Sequence, residues 1–154
     1  MEAWARPLAH AQTLQVMVGT IGAALETRVA ALMPEDPAFA LALDAVGTVA
    51  IDLLRHAALQ RCAGVAAARG MQVTRPLSPG TAGWPLAQGQ QQIFALLDAD
   101  ELYESGVELL PGSQLKPRKS LSLVVGMGDR VEPYRGYPCE ACSLHGSCAY
   151  KARY

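Results

Sequence analysis

Asp36-Pro37 opens the longest uninterrupted pattern in the chain, an Ala/Leu/Val-rich run that continues to about Arg69 and stops at Gly70. Aspartate at the N-cap followed by proline in the first turn, with glycine just past the end, is a start and stop signature for a helix. This helix is the strongest secondary-structure signal in the chain. Its polar residues form a narrow stripe: Asp44, Thr48 and Asp52 follow at intervals of four, with Arg55 three further on. So little polar surface predicts a helix buried nearly all round, with the stripe either a solvated face or the wall of a polar ligand cleft. Gly47 and Gly64 weaken helix propensity, and their expected use is close packing against another element. His56, beside the stripe, reads as a surface residue.

The other elements are shorter. Residues 13 to 19 alternate as a strand, and Thr20 stands at the N-cap position of a helix to about Met33, closed by Pro34. Residues 73 to 86 are dense in Pro and Gly, a rigid but irregular loop carrying Arg75, Gly80, Thr81 and Trp84. Arg75 offers a planar fork for a carboxylate, Trp84 an aromatic face, and the backbone near Gly80 and Gly83 close approach to a ligand. An ordered connector whose tryptophan plugs the core is the plainer alternative. A helix is expected from Pro85 to about Leu97, then a short one opened by Asp98 and Glu101 as a capping box and ended by Gly106. Strands are expected at Val107–Leu110 and Leu121–Gly126, separated by a turn at Pro111 and Gly112. The composite is α+β, a small, mostly antiparallel sheet packed on a long central helix, with a cysteine-rich C-terminal tail.

Three of the four cysteines lie in that tail, as Cys139, Cys142 and Cys148, with His145 between the second and third. The spacing Cys-x2-Cys-x2-His-x2-Cys supplies four ligands for a tetrahedral zinc, or three thiolates for an iron-sulfur cluster such as 4Fe-4S with His145 or another group as fourth ligand. Disulfide pairing is the remaining alternative. Cys62, alone in mid-helix, reads as a small buried hydrophobe. Residues 1–137 form one domain and 138–154 the metal or cluster tail.

Net charge is −1, so no basic excess draws the chain to nucleic acid. Residues 1 to 115 hold six Lys/Arg against eleven Asp/Glu, and 116 to 154 hold seven against three. The tail thus sits on a basic segment suited to an acidic partner or anionic cofactor. No apolar run looks long and charge-free enough to span a membrane, and the N-terminus lacks a charged leader followed by an apolar block, so the expected compartment is the cytoplasm. No Ser/His/Asp or Cys/His nucleophile set and no phosphate-binding glycine motif is present, which argues against a hydrolase.

Leu43-Asp44-Ala45-Val46-Gly47, the loop from Arg75 to Leu86 with Ser78-Pro79-Gly80 and Trp84-Pro85-Leu86, and Pro117-Arg118-Lys119-Ser120-Leu121-Ser122 occur in an order that resembles the activation domain of cobalamin-dependent methionine synthase. The closer resemblance, over roughly residues 13 to 153, is to short free-standing relatives of that domain with a cysteine-rich tail. It implies S-adenosylmethionine as ligand and, in trans, a corrinoid held as cob(II)alamin by a methyltransferase subunit, which is reduced by one electron and remethylated. By the same resemblance Arg75 pairs with the methionine carboxylate, Asp44 lies near the ligand's amino group, and Asp52 is a second acidic position. Gly80 and its neighbours, Thr81 and Trp84 among them, contact the ligand. Where the family commonly carries tyrosine after Pro-Gly, this chain has Thr81, which removes an aromatic partner. A tail cluster, charged by a reductase or ferredoxin, would be the electron source. The competing expectations are a non-catalytic docking subunit with structural zinc, and a small-molecule sensor that kept the pocket.

Overall fold

The computed structural model describes residues 3–81, 83–134 and 146. Its fold is α+β, a small antiparallel sheet with one long helix. A 3-10 helix, Ala3–Leu8, leads into β1 (Thr13–Thr20). Helices α1 (Ala24–Leu32) and α2 (Pro37–Ala67) follow, then β2 (Gln72–Val73), α3 (Leu86–Leu96) and α4 (Ala99–Ser105). A two-stranded ribbon of β3 (Glu108–Leu109) and β4 (Leu115–Lys116) precedes β5 (Ser120–Gly128).

The organising element is β5. It pairs antiparallel with β1 along the full length of that strand, from Thr13 opposite Met127 to Thr20 opposite Ser120, and with β2 on its other edge. An isolated bridge between Leu77 and Val124 prolongs the β2 side into the following loop. The central position explains why the sequence Ser-Leu-Ser-Leu-Val-Val-Gly-Met-Gly is nearly all apolar, because both faces of the strand are covered. Leu121, Leu123, Val125 and Met127 pack with Cys62 and Ala66 of α2, while Val124 packs on the opposite side with Leu77, Trp84 and Ile93. The buried hydroxyl of Ser122 on that second side donates to Gln90 Oε1 at 2.9 Å, so its burial leaves no unmet donor. At Gly126 a Cβ would lie 2.7 Å from Ala11 Cβ and 3.1 Å from Thr74 Cγ2, so only glycine lets the two flanking segments close on β5.

Local signals set the helix ends. Asp36 accepts from Phe39 N at 3.0 Å, and Asp98 accepts from the backbone N–H groups of Asp100 and Glu101. Gly106 ends α4 with φ 66°, and Gly70 follows α2 with φ 68°, both left-handed conformations that favour glycine. Gly47 is the close-packing glycine expected of it, since a Cβ there would meet Leu25 Cδ2 at 2.8 Å. Gly64 is not, because a side chain there would meet no other element within 4 Å.

Three expectations are corrected. Thr20 is not an N-cap: it ends β1, its hydroxyl donating to Lys119 O and accepting from Gly22 N, and α1 starts four residues later behind Ala23 with no side-chain cap. Strand pairing with β5 runs through Thr20 and outcompetes the helix start. Second, α2 is not buried all round, for only Ala40, Gly47, Cys62 and Ala66 are buried along it. A three-stranded sheet and α1 cover one side of a cylinder, and nothing among the described residues covers the other. Third, α2 is by length and composition apolar enough to cross a membrane, with an 18-residue window of mean hydropathy 1.7. Its few charged residues are spread too thinly to break the run.

Candidate functional site

Arg75 lies just past β2, where Thr74 N donates to Gly126 O and Leu77 exchanges two backbone hydrogen bonds with Val124. These bonds hold the backbone on both sides of Arg75. Its side chain lines a cleft of about 510 Å³ with Arg6, Pro7 and His10 from the N-terminal segment and Glu132 and Tyr134 from the chain after β5. Tyr134 is tied in place by its own N–H, which donates to Val73 O at 3.0 Å. Three segments distant in sequence therefore build one cleft, with Arg6 and Arg75 among its lining residues.

Among the described residues neither Arg6 nor Arg75 takes part in an ion pair. Among the described residues Glu132 is the single carboxylate lining the cleft, against Arg6 and Arg75. Such an arrangement favours a carboxylate or other anion that accepts from a planar donor fork. The volume is in the range of small-molecule sites.

The remaining ligand-binding expectations fall elsewhere. Asp44 accepts from Lys119 Nζ at 2.9 Å, and the same ammonium donates to Thr48 Oγ1 at 2.9 Å. Lys119 precedes β5, while the Arg75 segment lies beside Val124 to Gly126, roughly 16–23 Å further along the extended strand. Asp52 is held on α2 itself, accepting from Arg55 Nε at 3.0 Å, with His56 Nδ1 2.9 Å from the Asp52 carbonyl oxygen. The stripe on α2 is thus a partly solvated ion-pair network, not a wall of the Arg75 cleft.

Gly80 and Thr81 make a closed turn. Gly80 N donates to Trp84 O, Thr81 N to Ser78 O, and the Thr81 hydroxyl to Ser78 O at 2.6 Å. Of the amides expected near Gly80 and Gly83, those of Gly80 and its neighbour Thr81 are spent within the loop. Trp84 takes the connector role: it is 4% exposed, stacks on Trp4 with ring centroids 4.3 Å apart, and donates Nε1–H to Gln92 Oε1 at 2.9 Å. Both rings border a second, apolar cavity of about 420 Å³ with Leu8, Val16 and Ile93. Of the six expected ligand residues, Arg75 alone lines the cationic cleft.

Arg6, His10, Glu132 and Tyr134 escaped the sequence reading because no spacing rule links them. The available signal was the segment Trp4-Ala-Arg-Pro-Leu8, whose apolar residues four apart anchor Arg6 beside the sheet.

Cys139, Cys142, His145 and Cys148, the expected metal ligands, lie outside the described residues. Within those residues no group of three or more His, Cys, Asp or Glu side chains converges as a metal site requires. Cys62 is buried in the core with its Sγ 3.6 Å from Met17 Sδ. Burial pushes its thiol pKa up, with the nearby Arg61 charge opposing. No family model matches the chain, and no curated protein matches it.

Proposed function

We propose that the chain is a cytoplasmic accessory protein of corrinoid-dependent methyl transfer, which binds S-adenosylmethionine in the Arg6–Arg75 cleft for reductive reactivation of a corrinoid protein. The observation that carries this reading is the cleft itself: two arginines outside any described ion pair, on a framework held by β5, matched to a carboxylate. The sulfonium of such a ligand is already electrophilic, so the protein's task is to hold it at the corrinoid of a partner subunit.

Tyr134 adds support, because it borders the cleft and Cys139 is five residues further on. Five residues of chain reach at most about 18 Å, which bounds only the span from Tyr134 to Cys139; Cys142 and Cys148 are eight and fourteen residues on. Three thiolates and an imidazole within ten residues are a donor set fit for a 4Fe-4S cluster, which Cys139, Cys142 and Cys148 would hold. Such a cluster would supply one electron at low potential, received from a ferredoxin or reductase.

A second reading, a docking subunit with structural zinc on the same cysteines and His145, is favoured by one finding. Asp44 already pairs with Lys119, and the Gly80 and Thr81 amides are closed within their loop, as in a scaffold that has lost most of its ligand contacts. Anaerobic purification followed by counts of iron, zinc and labile sulfide, with calorimetric titration of S-adenosylmethionine, separates the two. Iron, sulfide and saturable binding are expected. One zinc per chain and no heat of binding would establish the scaffold.

A further inference from the structure

The solvent side of α2 carries a second apolar seam that no other described element covers. Phe39, Val46, Val49 and Leu53 are 54%, 59%, 50% and 63% exposed, and with Ala42 and Ala57 they recur at spacings of three and four. That is the spacing with which one helix packs against another at a shallow angle. The face opposite them, with Gly47, Cys62 and Ala66, is already packed on the sheet and α1.

We propose that α2 is the interface of a twofold homodimer in which two copies of this helix pack antiparallel along the seam. Centred beside Val49, the pairing sets Val46 of each copy against Leu53 of the other, Ala42 against Ala57, and Phe39 against the aliphatic part of Gln60. Val49 meets its own counterpart at the axis, as an isologous contact requires.

Charge complementarity selects this orientation. Glu35 and Asp36 are exposed at the N-terminal end of α2, and Arg61 is exposed toward its C-terminal end. In the antiparallel pair Arg61 of each copy comes within a turn of the other's Glu35 and Asp36, twice by symmetry, and the helix dipoles oppose. A parallel pair would instead set like charges side by side.

The area is sufficient. Half-exposed side chains of this size, with the alanines and backbone between them, present roughly 600 Å² per copy, so pairing removes about 1,200 Å² in total, the lower end for specific complexes. A lipid surface fits less well. Interfacial helices are rich in Lys and Arg on the polar face, whereas the polar stripe of α2, on the side away from the seam, carries Asp44 and Asp52 beside Arg55. The Arg75 cleft is built with the N-terminal segment that packs on the other side of the sheet, so pairing leaves it open.

Sedimentation velocity of the full chain over a micromolar concentration series tests the proposal. The unaltered chain should move from monomer to dimer, and Val49→Lys, at a half-exposed position, should raise the dissociation constant at least about tenfold with the circular dichroism spectrum retained. Arg61→Glu should weaken the dimer at low salt, and Arg61→Glu combined with Glu35→Arg should restore it. A monomer at every concentration, or a dimer indifferent to both Val49→Lys and Arg61→Glu, overturns the proposal. So does a monomer that floats with phosphatidylcholine/phosphatidylglycerol vesicles, which would assign the seam to lipid.

Discussion

Lys119 extends from the residue just before β5 to Asp44 on α2, Nζ to Oδ2 2.9 Å, and so joins the start of the central strand to the flanking helix. The lysine side chain is 16% exposed and the aspartate 48%, which makes the contact a clamp at the protein surface with its stem packed against Gly47. Because Asp44 is engaged in this way, its carboxylate serves the fold before it can serve a ligand.

Breaking that clamp should cost little. Lys119→Met keeps the stem and removes the charge, and with Asp44 half in water the loss should be about 0.5–1 kcal/mol, read from the midpoint of urea unfolding. Asp44→Asn should leave S-adenosylmethionine affinity unchanged. A large fall in affinity would instead bring α2 into the ligand site.

The two arginines of the cleft should act together on a carboxylate. Arg75→Ala is expected to weaken S-adenosylmethionine binding by about 1.5–3 kcal/mol, and Arg6→Ala by a comparable amount, in titration calorimetry. Because each removes part of one anion site, the double variant should fall short of the sum of the two losses. Full additivity would separate the guanidinium groups into different sites.

Trp84 closes the loop onto the sheet, and its replacement tests the connector role. Trp84→Phe keeps most of the stack on Trp4 and gives up the bond to Gln92, for about 1 kcal/mol; Trp84→Ala should cost about 3–5 kcal/mol. Thermal unfolding followed by circular dichroism measures both. Trp4 and Trp84 are the chain's two tryptophans, so the fluorescence of the folded protein reports on this stacked pair.

Cys62 gives the core a pH dependence with a defined sign. Its folded pKa lies above the ordinary 9.0, so below that value both states keep the thiol proton and stability is complete. As pH rises past 9.0 the unfolded chain loses the proton first and the contribution of the neutral buried thiol is lost. Urea unfolding of the unaltered chain and of Cys62→Ala should therefore converge as pH rises above that point. Parallel profiles would show that the thiol does not titrate differently in the two states.

The tail separates zinc from cluster by a single residue. Cys139→Ser, Cys142→Ser and Cys148→Ser should each abolish metal incorporation, and Cys62→Ser should leave it intact. His145→Ala should release zinc from a Cys3His site, whereas a cluster held by three thiolates should survive the change. Counts of iron, zinc and labile sulfide in the five variants decide it, and full metal retention in Cys142→Ser would refute the site.

Local chemistry alone determined the elements of this protein. Asp36-Pro37 and Gly70 bracket α2, Asp98 and Gly106 bracket α4, and the apolar run after Ser120 specifies a strand covered on both faces, because caps, left-handed glycines and side-chain alternation act over a few residues. Only the tertiary structure decided which of these meet. It spent Thr20 on a strand end, tied Asp44 to a lysine distant in sequence, folded the Gly80 and Thr81 amides into their own turn, and brought Arg6 and Arg75 into one cleft. It also left one side of α2 uncovered among the described residues, since hydrophobicity registers that a surface must be covered and carries no record of what covers it, within the chain or in a second copy.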